Sequence, residues 1–309
     1  MQNDIKFALL IDAENISDRY IKTVLDELSS CGSATYKRIY GDWTSTKLSS
    51  WKQKLLDASI LPVQQYSYTQ GKNSTDSAMI IDAMDILYSG NVQGFCLVSS
   101  DSDFTRLAAR LRESGMTVIG MGESKTPKPF IAACNQFKYL DILYAKNKAA
   151  AEDTEKEREE TRDSEKKAQR PEEKAPQKQE EKPGQMKPKR VPETGKKSAP
   201  EQTDPRRAEP QTQPAEKKDS QNELPHPQTD LSTLREALIS VVTDSSDEDG
   251  WMFTGDLGNH LAKRYPDFDV RNYGYSKLTA LLESLGVFEI KRERASEYNN
   301  IQLVYVRKK

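Results

Sequence analysis

Two short apolar segments of this sequence each end in acidic residues, and acids placed in this way suit a metal site. Phe7–Ile11 is followed at once by Asp12, and Gly94–Val98 is followed by Ser99–Asp103, which carries two more aspartates. Apolar runs without polar alternation are typical of strands buried on both faces of a parallel sheet. Ligands bind beyond the carboxyl ends of the strands in such sheets. We therefore expect the acids after the two segments to meet at one edge of one sheet.

The predicted catalytic and metal-binding residues are four aspartates: Asp12, Asp76, Asp101 and Asp103. Mg²⁺ and Mn²⁺ prefer oxygen ligands, and Mg²⁺ keeps several waters, so a few convergent carboxylates can hold one ion. Such an ion neutralises the charge on a phosphodiester and makes water nucleophilic near neutral pH. Both histidines, His226 and His260, lie outside the first half of the chain. Any metal bound there must therefore be held by oxygen, and hydrolysis of a phosphodiester is the chemistry that fits.

Several polar residues are candidates for substrate binding or for support of the acids: Asn15, Lys72, Ser99, Ser100 and Arg106. Asn15 is placed to orient a phosphate or a water on the metal, and Ser99 or Ser100 to hydrogen bond with a ligand carboxylate. Lys72 and Arg106 are candidate phosphate contacts. Asp101 and Asp103 are two apart, so they face one side only if the chain turns over residues 100–102, because a regular helix would separate them.

Each of these residues also has a purely structural interpretation. A single aspartate after a strand, such as Asp76 or Asp103, is more often a helix N-cap than a ligand, and Asn15 is also a good cap. Lys72 is by default a solvated lysine, and Arg106 shares a helix with Arg110 and Arg112 that can simply face solvent. The metal prediction depends on the four acids taken together. Two tryptophans, Trp43 and Trp51, are interpreted as packing residues.

Composition limits the class of protein. The chain has 309 residues, a net charge of −2, 35% apolar and 30% charged residues, which is too polar for a uniformly folded chain. It contains no long apolar run that would suit a membrane span or a signal peptide. Its three cysteines are far apart, which is typical of reduced thiols rather than of a disulfide framework. We expect a cytoplasmic protein without membrane contacts.

Residues 1–145 show strand and helix patterns in alternation. Strands are predicted at Phe7–Ile11, Thr35–Tyr40, Leu61–Tyr66 and Gly94–Val98, with Met116–Met121 as the last. The intervening segments carry apolar residues at helical spacing. Alternation of this kind predicts an α/β fold in which a parallel sheet is flanked by helices.

Residues 146–229 are predicted to be a disordered, charged and proline-rich linker. No Phe, Trp, Tyr, Ile or Leu occurs between Ala145 and Glu223, and 11 of the 15 prolines lie from Pro171 to Pro227. Such a segment buries too little apolar surface to offset the entropy of ordering it. With 20 Lys or Arg against 19 Asp or Glu, it is not a basic arm. Its Ala-, Glu- and Lys-rich start, through about Gln169, favours an extension of helix from the first domain.

Residues 230–309 are predicted to form a small winged-helix domain. Apolar spacing predicts three short helices, the second capped by Thr254, followed by strands at Val287–Ile290 and Ile301–Val306. With 11 basic against 13 acidic residues, the domain is poorly suited to reading duplex DNA. The hairpin cations Lys291, Arg292 and Arg294, with Tyr273 and Tyr275 nearby, suit structured or single-stranded RNA better. A protein partner on this domain is the open alternative.

The motifs described so far carry a resemblance to known families. The first domain resembles the NYN family, a branch of the PIN-like metal-dependent ribonucleases related to the bacterial LabA proteins. The matching residues are Ile11–Asn15, Lys72 with Asp76 and Asp82, and Val98–Phe104. The C-terminal part is similar to the OST-HTH module, also called LOTUS, at Gly250–Phe253, at Tyr273–Leu278 and in the final hairpin.

The resemblance implies a PIN-like sheet, and it makes the same four aspartates catalytic, with Asp82 as a weaker candidate that supports the site. The leading hypothesis is a Mg²⁺- or Mn²⁺-dependent ribonuclease whose C-terminal module binds RNA or a protein partner. The alternative is an inactive RNA-binding or scaffold protein that keeps both motifs. A phosphatase with Asp12 as nucleophile fits poorly, because Glu14 stands where its second aspartate would be.

Overall fold

The computed structural model describes residues 4–65, 74–152, 227, 229–296 and 299–309. The candidate residue Lys72 and almost all of the predicted linker lie outside these ranges. None of the described helices is both long enough and apolar enough to cross a membrane.

The first domain is a parallel sheet of six strands in the order β3-β2-β1-β4-β5-β6. In chain order the strands are β1 (Lys6–Asp12), β2 (Ser33–Gly41), β3 (Leu61–Gln64), β4 (Gly94–Val98), β5 (Thr117–Gly122) and β6 (Gln136–Tyr139). The prediction of a helix-flanked parallel sheet is confirmed. The prediction that the fifth strand is the last was wrong, because β6 adds an edge strand beyond β5.

Helices cover both faces of this sheet. They are α1 (Ile21–Ser29), α2 (Trp51–Ala58), α3 (Ser74–Ser89), α4 (Thr105–Glu113), α5 (Lys128–Ala133) and α6, a helix over 140–152 that continues to the end of the described range. Residues 146–152 of α6 belong to the segment predicted as linker, and they confirm the helix expected at its start. Helices α1 and α2 pack on one face, while α3, α4 and α5 pack on the other.

Strand β1 shows why its sequence is continuously apolar. Phe7, Leu9 and Ile11 enter the core on the α1 and α2 side, whereas Ala8 and Leu10 enter the core on the α3 and α4 side. Successive side chains of a strand point to opposite faces, so a strand covered on both sides needs apolar residues at every position. All five residues are at most 1% exposed. The apolar run ends at Asp12, the last residue of β1, which is still buried but lies at the carboxyl edge of the sheet.

The C-terminal domain packs three helices against a small antiparallel sheet of order β7-β9-β8. Its elements are α7 (Leu231–Ser245), β7 (Met252–Phe253), α8 (Thr254–Arg264), α9 (Leu278–Leu285), β8 (Phe288–Ser296) and β9 (Asn299–Lys308). A separate apolar core joins them, which confirms the predicted small helical domain with a terminal hairpin. Thr254 does not cap α8 as predicted, because its hydroxyl donates to the Val304 carbonyl at 3.0 Å.

The outer edge of β6 is covered by the C-terminal domain. The Phe137 amide donates to the Pro266 carbonyl at 2.7 Å, and the buried Tyr139 hydroxyl donates to Asp267 at 3.0 Å. An uncovered edge strand would leave backbone groups open to pairing with another chain. The Lys138 ammonium lies 3.0 Å from Asp269, which also receives the Arg271 guanidinium. The two domains are therefore joined by a hydrogen-bonded junction in addition to the chain itself.

Candidate metal centre and active site

The candidate site lies at the point where the sheet order changes direction, between β1 and β4. Ile11 of β1 pairs with Val98 of β4, so the next residues of the two strands, Asp12 and Ser99, leave the sheet side by side. The crossovers from β1 and β4 turn to opposite faces, because α1 and α4 pack on different sides. A crevice opens at such a switch point, at the carboxyl ends of the strands. The predicted convergence of the two segments is found there.

Asp12 is fully buried, and its two carboxylate oxygens accept four hydrogen bonds. Oδ1 accepts from the Glu14 amide at 3.0 Å and from the Asn15 amide at 3.3 Å. Oδ2 accepts from the Asn15 side-chain amide at 2.7 Å and from the Ser99 hydroxyl at 2.8 Å. Burial raises the pKa of Asp12, and these bonds oppose that rise because they stabilise the carboxylate. Asp12 is thus fixed in orientation, and its charge acts on Asp76.

Asn15 and Ser99 therefore support Asp12 directly. Ser99 is completely buried, and its hydroxyl donates to Asp12 while accepting from the Asp101 amide at 3.0 Å. One hydroxyl thus connects the acid after β1 to the acid after β4. The structure places the Asn15 amide on Asp12, whereas the sequence suggested a phosphate or a water as its target.

The turn predicted over residues 100–102 is present. Asp101 caps a short 3₁₀ turn over Ser102–Phe104, and its Oδ1 accepts from the Asp103 amide at 2.9 Å. The chain then enters α4. This cap brings the two aspartates to the same side, as their spacing required. Asp101 therefore serves as an N-cap and also lies in the acid cluster, and its role as a metal ligand stays a prediction.

Asp76, in the first turn of α3, completes a cluster with Asp101 and Asp103. One carboxylate oxygen from each of the three lies within 4.8 Å of the other two. Opposite ligands of an octahedral Mg²⁺ at about 2.1 Å lie about 4.2 Å apart. The three oxygens therefore lie at nearly the spacing that the ligands of one ion require. The three acids come from two parts of the chain, the first turn of α3 and the short turn that leads into α4.

Asp76 experiences electrostatic repulsion from the other acids. Burial and, after it, the negative charges of Asp12, Asp101, Asp103 and Glu14 together raise the pKa of Asp76 to about 6. Within the described part of the chain, no lysine or arginine forms an ion pair with Asp12, Asp76 or Asp101. A hard divalent cation neutralises such a group of carboxylates, and oxygen is the ligand that it prefers. The donor set therefore fits Mg²⁺ or Mn²⁺.

Glu14 is a fifth acid that the sequence interpretation did not assign to the site. Its Oε1 accepts from the hydroxyl of the buried Thr75 at 3.0 Å. This bond connects the loop after β1 to the start of α3, one residue before Asp76. The signal in the sequence was its position two residues after Asp12, which was considered only for a phosphatase.

The remaining predicted residues lie at different distances from the acids. The Ser100 hydroxyl accepts from the Glu123 amide at 2.9 Å and so fixes the loop after β5 instead of touching an acid. Arg106 is exposed in the first turn of α4, two residues after the acid turn. Asp82, the weaker candidate, is bonded to Arg38 and to the Tyr40 hydroxyl. It anchors α3 on β2 and takes no part in the acid cluster.

A test of the Ser99 bridge is the variant Ser99→Ala. We expect a loss of about 1–3 kcal/mol in the free energy of unfolding, because a buried charged acceptor loses a donor. Since the Ser99 bond lowers the pKa of Asp12, that pKa should rise further. Metal affinity should fall by about 10–100-fold, the usual effect of losing a bond to a ligand. Calorimetric titration with Mn²⁺ and chemical denaturation measure these changes.

Ser100→Ala is the matched control for this variant. It removes a neighbouring hydroxyl that accepts a hydrogen bond from the Glu123 amide and that is not bonded to the acids of the cluster. Stability should fall in both variants, but metal affinity should fall only in Ser99→Ala. Equal metal affinity in the two variants would show that the Ser99 hydroxyl does not organise the acids.

Known domain families match both parts of the chain. The sequence profile of the NYN domain matches residues 6–141, and that of the OST-HTH/LOTUS domain matches residues 229–299. No curated protein matches the chain. A Vibrio parahaemolyticus protein of unknown function has a similar solved structure with 18% identity and a TM-score of 0.39, and the match covers 46% of this chain and 96% of that one. An uncharacterized Nitrosomonas europaea protein shows 31% identity, a TM-score of 0.23, and coverage of 31% and 92%.

Proposed function

Since this chain joins an NYN domain to an OST-HTH/LOTUS domain, we propose that it is a metal-dependent ribonuclease that hydrolyses RNA phosphodiester bonds. The C-terminal domain is proposed to bind RNA or a protein partner. The observation that carries the proposal is the convergence of Asp76, Asp101 and Asp103 within 4.8 Å at the switch point of the sheet. The negative charges of these acids and of the buried Asp12 disfavour one another at Asp76, and a bound cation relieves that repulsion.

Asp76, Asp101 and Asp103 are the proposed ligands of Mg²⁺ or Mn²⁺, and Asp12 is the fourth predicted acid, whose charge acts on Asp76. When bound, the ion supplies charge neutralisation at the scissile phosphate and an activated water. The chain itself holds the geometry, because Asn15 and Ser99 fix Asp12 and Ser99 also fixes the Asp101 backbone. Arg106 is the proposed phosphate contact beside the acids, and Lys72, outside the described residues, stays a prediction for the same role.

The proton on Asp76 sets the expected pH dependence. Its pKa of about 6 means that the ligand is mostly ionised near neutral pH and mostly protonated below 6. A protonated carboxyl cannot ligate, so protons compete with the metal. The proposal therefore predicts that activity at limiting metal falls as the pH is lowered through about 6.

The deciding experiment is a cleavage assay on single-stranded RNA and DNA in parallel, with Mg²⁺, with Mn²⁺ and with EDTA. We expect RNA cleavage with either metal and none with EDTA. The full chain with Asp12→Asn and Asp101→Asn should lose cleavage by at least about 100-fold, because metal ligation and its support are removed together. Circular dichroism establishes that this variant is folded.

An inactive RNA-binding protein is the second candidate. It predicts that RNA is retained in a filter-binding assay with EDTA present and that no metal yields a product. Full activity in the double variant would overturn the assignment of the site, and cleavage that persists in EDTA would overturn metal dependence. Preference for DNA over RNA would replace the ribonuclease proposal with a deoxyribonuclease.

A further inference from the structure

The C-terminal hairpin, where the sequence suggested RNA binding, has most of its cations already paired. The Lys291 ammonium lies 2.5 Å from Glu293, and the Arg292 guanidinium lies 2.6 Å from Glu283. Arg307 is 2.7 Å from Glu289 and stacks on Trp251 at 4.6 Å. Phosphate contacts made by these residues would have to replace carboxylates. The structure therefore directs attention to other cations of this domain.

A groove of about 690 Å³, lined by both polar and apolar side chains, lies at the junction of the two domains. The C-terminal wall comes from the end of α8, with Asn259, Lys263 and Arg264. The opposite wall comes from the first domain, with Arg112 at the end of α4, and with Asn135 and Gln136 at the start of β6. The hydrogen bond from Phe137 to Pro266 and the ion pairs beside it hold the two walls together. Neither domain forms this groove alone.

The groove has three cations and three amide side chains, and no carboxylate lines its described part. Lys263 and Arg264 are exposed and form no ion pair with any residue that the structure describes; Arg264 packs against the Tyr265 ring at 5.7 Å. On the other wall, Arg112 Nη1 donates to the Ala132 and Ala133 carbonyls at 3.1 Å each. Those bonds fix the arginine in place and use one of its three nitrogens. The groove thus offers positive charge that is not neutralised within the described chain.

We propose that this interdomain groove binds the phosphate backbone of the RNA substrate. Lys263 and Arg264 contact phosphates, Arg112 supplies a fixed charge, and the amides of Asn135, Gln136 and Asn259 hydrogen bond to phosphate or sugar oxygens. Backbone contacts of this kind position a strand without reading its sequence. The ligand identity follows from the proposed ribonuclease function, whereas the existence of the anion-binding groove is independent of it.

The location suits a substrate that reaches from the groove to the acids. Helix α4 begins beside Asp103 and ends at the groove, and its nine residues span about 14 Å. A single strand that is held in the groove can therefore extend along the domain to the crevice. The groove would contribute to binding of long substrates and not to the chemical step.

The test is the binding of fluorescent single-stranded RNA to the full chain in EDTA, so that no cleavage is needed. We expect Lys263→Glu with Arg264→Glu to raise Kd at least tenfold. Each phosphate contact to a single strand contributes about 0.7 to the slope of log K against log salt concentration. Loss of two contacts should therefore reduce the magnitude of that slope by about 1.4. Arg235→Glu with Lys308→Glu is the matched control, because these exposed cations lie outside the groove and change the net charge equally.

The opposite wall is tested by Gln136→Glu, which adds one negative charge with nearly the same shape. This variant should raise Kd several-fold. If Gln136→Glu binds RNA like the parent chain, the groove is not shared between the domains and the proposal fails. Equal loss of affinity in the groove variant and in the matched control would show a nonspecific charge effect and would also overturn it.

Two further outcomes separate this proposal from its rivals. If a polyglutamate peptide displaces RNA from the parent chain as well as unlabelled RNA does, the groove takes acidic polypeptides and the RNA assignment is wrong. In the cleavage assay, the groove variant should raise KM for a long strand and leave kcat unchanged. RNA binding in the groove without any metal-dependent cleavage would refute the ribonuclease proposal but support the groove. Metal-dependent cleavage with KM and Kd unchanged in the groove variant would refute the groove but support the ribonuclease proposal.

Discussion

Replacing Asp76 by asparagine is expected to abolish RNA cleavage and, at the same time, to stabilise the metal-free protein. The reason is that the Asp76 carboxylate, with a pKa raised to about 6, is held against four other acids. Asparagine removes that repulsion but is a poor ligand for a hard cation. Activity should fall by at least about 100-fold. The metal-free melting temperature should rise by about 2–4 °C, equivalent to about 1 kcal/mol for a domain of this size.

The repulsion at Asp76 also predicts the direction in which the stability of the metal-free protein changes with pH. The ordinary pKa of an aspartate is 3.8, whereas the folded protein holds Asp76 near 6. Between these values the folded state binds more protons than the unfolded state, so the stability of the metal-free protein falls as the pH rises. Asp76→Asn should lose this part of the slope. Added Mn²⁺ should raise the melting temperature of the parent chain at neutral pH and should raise that of the variant far less.

Asp85→Asn is the control, since Asp85 is an exposed acid on the same helix that belongs to no part of the cluster. It should leave activity, the metal-induced shift and the pH slope unchanged. Asp76→Asn with full activity would remove this residue from the ligand set. An unchanged metal-free melting temperature would show that the carboxylates do not repel one another in the way the arrangement indicates.

The sequence predicted the centre of the first domain well, because the centre is dictated by local patterns. Strands β1 and β4 are covered on both faces, so their apolar runs are continuous and end sharply at the sheet edge. The acids that follow could then be placed together from the parallel topology alone. Their convergence at the crevice agrees with that inference. Their roles as ligands stay a prediction that the variants test.

The periphery was harder to predict, since it depends on contacts between distant residues. Strand β6 has only four residues and includes Lys138, whose charge argues against a strand in the interior. That lysine is tolerated because Asp269, 131 residues later, pairs with it. Likewise, the four hydrogen bonds to Asp12 and the Thr75 bond to Glu14 depend on folded geometry. Hydrophobic periodicity in the sequence does not indicate contacts between distant residues, so neither β6 nor the junction between the two domains was predicted.

The second large effect is expected at that junction, from Arg271→Ala. Arg271 donates to Glu27 at 2.5 and 2.7 Å and to Asp269 at 2.7 Å. Both acids are only 10–13% exposed at their side chains. Removing the cation leaves two buried carboxylates to share Lys138, which typically costs about 3–5 kcal/mol. We expect the C-terminal domain to separate from β6 while both domains remain folded.

Hydrogen exchange at the Phe137 amide is the specific measurement, because its acceptor, the Pro266 carbonyl, belongs to the other domain. Exchange should accelerate in Arg271→Ala at this amide, whereas amides inside β1 and β4 should keep their protection. Arg271→Lys keeps the charge but loses the forked geometry, so an intermediate rate is expected.

The pKa of Asp269 bears on how the junction responds to acid. Burial alone would raise this pKa, but the Arg271 bonds and the Lys138 charge hold it below its ordinary value. The junction should therefore persist in mildly acidic solution in the parent chain. Unchanged Phe137 exchange in Arg271→Ala would show that the ion pairs do not hold the domains together, and the RNA groove would then lack its supporting wall.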